Sequence, residues 1–119
     1  MEIKECRSHE FMFEAIKHKL ECIKLKVETD YTNDLIIYKH ECGSCWYLAQ
    51  NIPGETKLFG IVVHKYKTPK NLVEVSLNDG ILKVFIIESF ISYIVKKELT
   101  NFAEEYKENI KRVNFIKNF

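Results

Sequence analysis

The chain has 119 residues with 46% hydrophobic and 29% charged side chains, a globular balance that argues against disorder and leaves room for a single domain over residues 1–119. Eighteen Lys and Arg stand against seventeen Asp and Glu, for a formal net charge of +1. The charge shifts only from −2 in residues 1–60 to +3 in residues 61–119, whereas a protein that tracks phosphates carries a clear basic excess, so charge does not indicate a nucleic-acid partner.

Ser8 is placed to cap a helix over about residues 9–21, with Met12, Ala15, Ile16 and Leu20 on one face. The pattern then turns to period two. In Ile23-Lys24-Leu25-Lys26-Val27 apolar and basic residues alternate, which predicts a half-buried strand. A turn over residues 30–33 leads to a strand over 35–40. Gly43-Ser44 predicts a two-residue hairpin turn into a strand over 46–49. Pro53-Gly54 predicts the next turn, residues 57–67 the longest strand, and Thr68-Pro69-Lys70-Asn71 another turn. Strands over 72–77 and 81–87 flank Asn78-Asp79-Gly80, the clearest hairpin signal in the chain. Residues 1–5 suit a short edge strand.

Beyond the strands, Ser89 predicts a helix start. Val95, Leu99, Phe102, Tyr106, Ile110 and Val113 trace a stripe at helical steps, with a capping pair at Asn101 and Glu104 where the helix can restart. The expected fold is α+β: an N-terminal helix, an antiparallel meander of about six strands, and a long C-terminal amphipathic helix, continuous or broken at Asn101, packed on the sheet.

No segment has the layout of a signal peptide. No run reaches about 18 apolar residues. The expectation is a cytoplasmic protein with no membrane partner, whose four cysteines are thiols or ligands rather than disulfides.

Cys6-Arg-Ser-His9 and Cys42-Gly-Ser-Cys45 carry the spacing with which two side chains reach one metal, and Cys with His suits tetrahedral zinc. Cys6, His9, Cys42 and Cys45 are therefore the candidate metal ligands, with His40 as an alternative and zinc as the one cofactor to consider. The bland reading makes Cys42 and Cys45 flanks of a turn and Cys6 and Cys22 small core residues. The same CxxC as a redox pair fits less well, because its context is strand-to-strand.

His64 late in a strand, with Tyr93-x-x-Lys96 on the following helix, resembles the rolling-circle replication initiators. That resemblance implies a metal-dependent protein that nicks nucleic acid, with the metal held by His, Tyr93 as the nucleophile on the phosphodiester and Lys96 beside it. The family carries two His separated by one residue, and Tyr66 stands where the second would be. The plainer reading packs Tyr93 and solvates Lys96.

The order of helix, meander and long last helix looks like the helix-grip arrangement of START and Bet v 1-like proteins. It implies a carrier of a small apolar ligand, lined here by Val62, His64, Tyr66, Phe85, Phe90 and Ile94. The preferred expectation is a small non-enzymatic binding protein acting through a protein partner or as a self-dimer, of the inhibitor, immunity or anti-defence type. It rests on richness in Tyr and Phe, six and eight, and on strands apolar on both faces, such as Leu35-Ile36-Ile37-Tyr38. Tyr38, Trp46, Tyr66, Phe115 and Phe119 are the expected contact residues. Abundant Lys, Ile and Asn fit an AT-rich genome such as that of a mobile element.

Overall fold

The first helix, α1 (His9–Asp30), shows how one apolar stripe sets the length of an element. Met12, Ile16, Leu20, Ile23 and Val27 follow one another at three- or four-residue steps, and none is more than 1% exposed. Ser8 begins it, its Oγ accepting the Phe11 backbone N–H at 3.1 Å, which satisfies one of the orphan donors of the first turn. The strand expected over residues 23–27 is helix instead. Ile23 and Val27, four apart, share the buried face, while Leu25 between them is 63% exposed. The alternation was incidental to a helical stripe.

The structure, a computed structural model, describes residues 8–30, 34–41 and 43–119. The strand expected over residues 1–5 lies outside them.

Five strands form one sheet in sequential order: β1 (Leu35–Lys39), β2 (Cys45–Leu58), β3 (Ile61–Asn78), β4 (Ile81–Ile86) and β5 (Arg112–Lys117). β1 to β4 are an antiparallel meander, and β5 returns parallel to β4. The parallel return needs a crossover. A 3-10 turn (Ser89–Ile91) and α2 (Ser92–Glu105) supply it. Neither start carries a side-chain cap, so Ser89 does not act as one.

The expected long C-terminal helix is thus corrected to a 14-residue helix and a strand. Val95, Leu99 and Phe102 stay on one buried helical face. The helix stops at Tyr106, where Asn109 and Ile110 both turn back to its carbonyl at 2.9 Å. Beyond, Val113 and Phe115 pair with Leu82 and Val84 at strand spacing. The six expected strands become five: the helix absorbs the one over 23–27, the three over 46–49, 57–67 and 72–77 resolve into β2 and β3, and the tail adds β5.

Both helices pack on one face of the sheet. Leu48, Val73, Val75, Val84 and Ile86 point into that layer, each fully buried. Glu98, only 7% exposed, ties the helices together. It is hydrogen-bonded by Lys26 and paired with Lys19 at 2.9 Å, both from α1. Those contacts, Lys26 first, hold its pKa down to about 2. The other face of the sheet carries Ile36, Tyr38, Tyr47, Phe85 and Ile116, half-buried, with neither helix over it.

The meander is very uneven. β1 stops pairing at Leu35↔Gln50 and β4 at Val73↔Ile86. β2 and β3 continue alone from Asn51↔Pro69 to Leu58↔Ile61. They form a two-stranded arm of about 25 Å, by the usual strand rise. The molecule measures 72 × 28 × 23 Å, with a radius of gyration of 17.0 Å. A globular chain of this length would have about 13.5 Å.

The arm overrides two expected turns. Pro53-Gly54 and residues 68–71 are paired ribbon, and the reversal occurs at Phe59-Gly60. Both prolines lie where β2 and β3 each have one unpaired side, the place where a missing N–H does least harm. Near Gly43-Ser44 the loop is longer than expected, closed by His40 N–H to the Cys45 carbonyl at 2.9 Å.

Candidate functional site

Every residue from 55 to 70 is exposed, so nothing in the body explains the arm's side chains. Partners across an antiparallel ladder share a face, and residues two apart along a strand share it too. One face therefore carries Ile52 and Thr68, Gly54 and Tyr66, Thr56 and His64, then Leu58 and Ile61. The other carries Pro53 and Lys67, Glu55 and Lys65, Lys57 and Val62. The arm is two-sided: its aromatic and aliphatic anchors lie on one face, and all three of its lysines lie on the other with Glu55, Pro53 and Val62. An irregularity between Thr56 and Lys57 admits Val63 as an extra residue.

The apolar face is built with care. Tyr66 lies flat across Gly54, where an added Cβ would sit 2.4 Å from its ring carbon Cε2. His64 stacks beside it, with ring centroids 5.9 Å apart. Only glycine lets an aromatic ring cross its partner strand this closely.

The tip is less comfortable. Phe59 and Gly60 have φ of 50° and 78°, a type I′ turn, which suits Asn-Gly or Asp-Gly. A bulky side chain in the left-handed region carries a steric cost of about 1–2 kcal/mol. Phe59 is also 93% exposed, and its neighbours Leu58 and Ile61 are 57% and 67% exposed.

On the lysine-bearing side, charge is partly balanced: Lys67 lies 3.7 Å from Asp34 and Lys57 4.0 Å from Glu55. Below the arm, Lys70, on the same face as Thr68, lies 2.7 Å from Glu88.

Of the expected contact residues, Tyr66 is on the arm and 44% exposed. Trp46 is instead a core residue, 7% exposed, stacked on Phe13 at 4.9 Å and donating Nε1–H to the Phe13 carbonyl at 2.8 Å. Phe115 packs half-buried against the core. Phe119 is 59% exposed, with the Lys117 ammonium 6.0 Å from its ring.

Tyr38 stacks on Tyr47 at 5.0 Å and donates its hydroxyl to Asn71 Oδ1. Burial, then the neighbouring Glu74 charge, pushes the Tyr47 phenol up to about 12.

Of the metal candidates, Cys6 and Cys42 lie outside the described residues. His9 opens α1 with its ring 6.0 Å from Phe13, and Cys45 is buried at the start of β2. Among the described residues no three His, Cys, Asp or Glu are grouped to hold a metal. The nicking candidates fall apart in space: His64 is on the distal arm, Tyr93 and Lys96 on α2 in the body. The neighbouring Lys117 lowers the Lys96 pKa, since the two amines disfavour a second charge.

The expected ligand lining is divided likewise. Val62, His64 and Tyr66 stand on the arm, and Phe85 is on the face opposite the helices that carry Ile94. Among the described residues no helix is long and apolar enough to cross a membrane.

The exposed apolar set Ile52, Leu58, Phe59 and Ile61 was missed in the sequence, because Phe59-Gly60 sits inside a run that reads as one strand. The available signal was Gly60 flanked by mirror-placed apolar residues, Leu58 and Ile61.

No family model matches the chain, and comparison with curated proteins and with solved structures gives no significant match.

Proposed function

We propose that the chain is a non-enzymatic binding protein that acts by protein–protein interaction, with the β-arm as its contact element. The observation that carries this is Phe59. Folding alone favours Asn at that left-handed position, yet the chain keeps an aromatic there, strained and 93% exposed. A strained residue with no role in packing is a mark of function. The arm supplies the rest of a contact surface: aromatic and aliphatic anchors on one face, with the charged side chains of the ribbon kept on its back. An inhibitor or immunity protein is the class this design fits, since such proteins act by occupying a surface.

The test is capture from cells that encode the chain, using tagged wild type and Phe59→Asn side by side, with mass spectrometry. Asn improves the turn and leaves the body untouched. The expected outcome is a captured species, another protein or an untagged copy of the chain, that Phe59→Asn loses. Equal capture by both would overturn the assignment of the arm.

A further inference from the structure

We infer that the arm's occupant is the arm of a second copy of this chain, laid antiparallel and face to face about a two-fold axis. This deepens the proposed function and rests on its reading of the arm as the contact element. The first argument is charge. When the two apolar faces meet, Lys57, Lys65, Lys67 and Glu55 all point outward, so no like charges oppose one another across the contact. Turning either ribbon over would bury its lysines against the other's apolar side, which is costly.

The second argument is the edge. Pro53 is in β2 and Pro69 in β3, so each open edge of the ribbon has a residue without an N–H. Edge-to-edge strand addition is thereby discouraged, and the face remains.

The third argument is fit along the arm. Near its base, on the segment that follows β4, Phe90 and Tyr93 are 41% and 79% exposed. This segment is fixed beside the arm's root by Lys70 on Glu88 at 2.7 Å and by Ile87 N–H on the Leu72 carbonyl at 2.8 Å. In an antiparallel overlap each tip ends at the other copy's root. Phe59, Leu58 and Ile61 then meet the partner's Phe90 and the partner's Tyr93. The flat Tyr66 over Gly54 and the stacked His64 sit nearest the axis. Two faces of about 25 by 10 Å, together with both tip contacts, bury on the order of 1,000 Å², the lower bound for a specific interface. Such a contact is isologous and closes on itself, so it makes a dimer and not a fibre.

Nucleic acid is the less favoured occupant. Two of the arm's three lysines, Lys57 and Lys67, and Lys70 at its root already lie against carboxylates, and the aromatic face would stay uncovered.

The experiment is sedimentation velocity on the full chain over a concentration series, with a photo-crosslinking phenylalanine analogue at position 59 in mixed heavy- and light-isotope protein. The expected mass is twice 14.1 kDa, with inter-copy cross-links mapping to residues 88–93. Leu58→Lys and Ile61→Lys are each expected to weaken the dimer at least about thirtyfold. Lys57→Glu with Lys65→Glu, on the opposite face, leaves it unchanged. Circular dichroism confirms that each variant keeps its helices.

A 14.1 kDa monomer throughout overturns the self-pairing, as does a dimer cross-linked elsewhere or indifferent to Leu58→Lys. A monomer that shifts duplex DNA through Lys57 and Lys65 overturns it in favour of nucleic acid. A monomer from which Phe59→Asn still loses a captured protein overturns the self-pairing alone and leaves the arm as the contact element. Capture indifferent to Phe59→Asn removes the arm reading itself.

Discussion

The body and the arm share two strands and follow opposite rules. In the body, β2 and β3 lie between β1 and β4 and beneath two helices, and their inward residues Leu48, Val73 and Val75 are fully buried. A few residues further, the same strands lose every neighbour and keep apolar side chains in the open. An isolated two-stranded ribbon is marginally stable in water. The body accounts for itself by burial. The arm does not, and the contact proposed for it outside the chain would supply the burial it lacks.

The sharpest way to break this contrast is to damage each region in turn. Leu48→Ala is expected to cost the body about 2–5 kcal/mol by urea denaturation, because the site cannot fully collapse around the lost methyls. Removing residues 54–66 and joining Pro53 to Lys67 through Asn-Gly is expected to change that stability by less than about 0.5 kcal/mol. A large loss on arm removal would mean that the arm belongs to the core after all.

Next in size is the helix tie. Glu98→Gln is expected to cost about 2 kcal/mol at neutral pH, since two lysines lose a charged acceptor in a buried setting. Glu98 has its folded pKa depressed to about 2, so its contribution is present above the ordinary carboxylate range and is lost as pH falls toward that value. Stability curves of wild type and variant should therefore converge in acid.

Tyr47 gives a smaller, opposite effect. Its folded pKa is raised to about 12, so the fold favours the neutral phenol, and stability falls as pH climbs from the ordinary tyrosine value of about 10 toward that point. Ultraviolet titration should show one phenol ionising late, and Tyr47→Phe should remove it.

The smallest change belongs to the arm. In the dissociated chain at high dilution, Phe59→Asn is expected to stabilise the hairpin by about 1 kcal/mol or less, seen as slower amide exchange in residues near the tip with no shift in the body.

How much of this was legible follows from where local rules decide the outcome. The Ser8 cap and the Met12, Ile16, Leu20 stripe were readable, because helix starts and apolar faces are set within a few residues. So was the Asp79-Gly80 hairpin: the two have φ of 53° and 77° and join Asn78 to Ile81. Residues 23–27 misled because a five-residue window cannot separate a period of two from one of 3.6 when Lys falls between Ile, Leu and Val. Pro53-Gly54 and Pro69 misled because their meaning depends on whether a neighbouring strand is present, which is a tertiary fact. Val113 sits seven residues after Tyr106, the cap that ends α2, and only its pairing with Leu82 reveals a strand. For the candidate site, Tyr66 was named as a contact residue from its chemistry alone, and the structure places it on the exposed arm. Phe59 was hidden, since a strained turn with an aromatic is the arrangement that local preference argues against.

The paired register of the arm also makes it a ruler graduated in steps of two. Deleting Glu55-Thr56 together with His64-Lys65 removes two matched rungs and shortens the reach by about 7 Å while every remaining side chain keeps its face. Deleting one rung would turn the whole tip over and present lysine where Leu58 and Ile61 had been. Insertions and deletions in this hairpin can therefore retune the spacing between whatever its ends hold, provided they come in even, matched numbers.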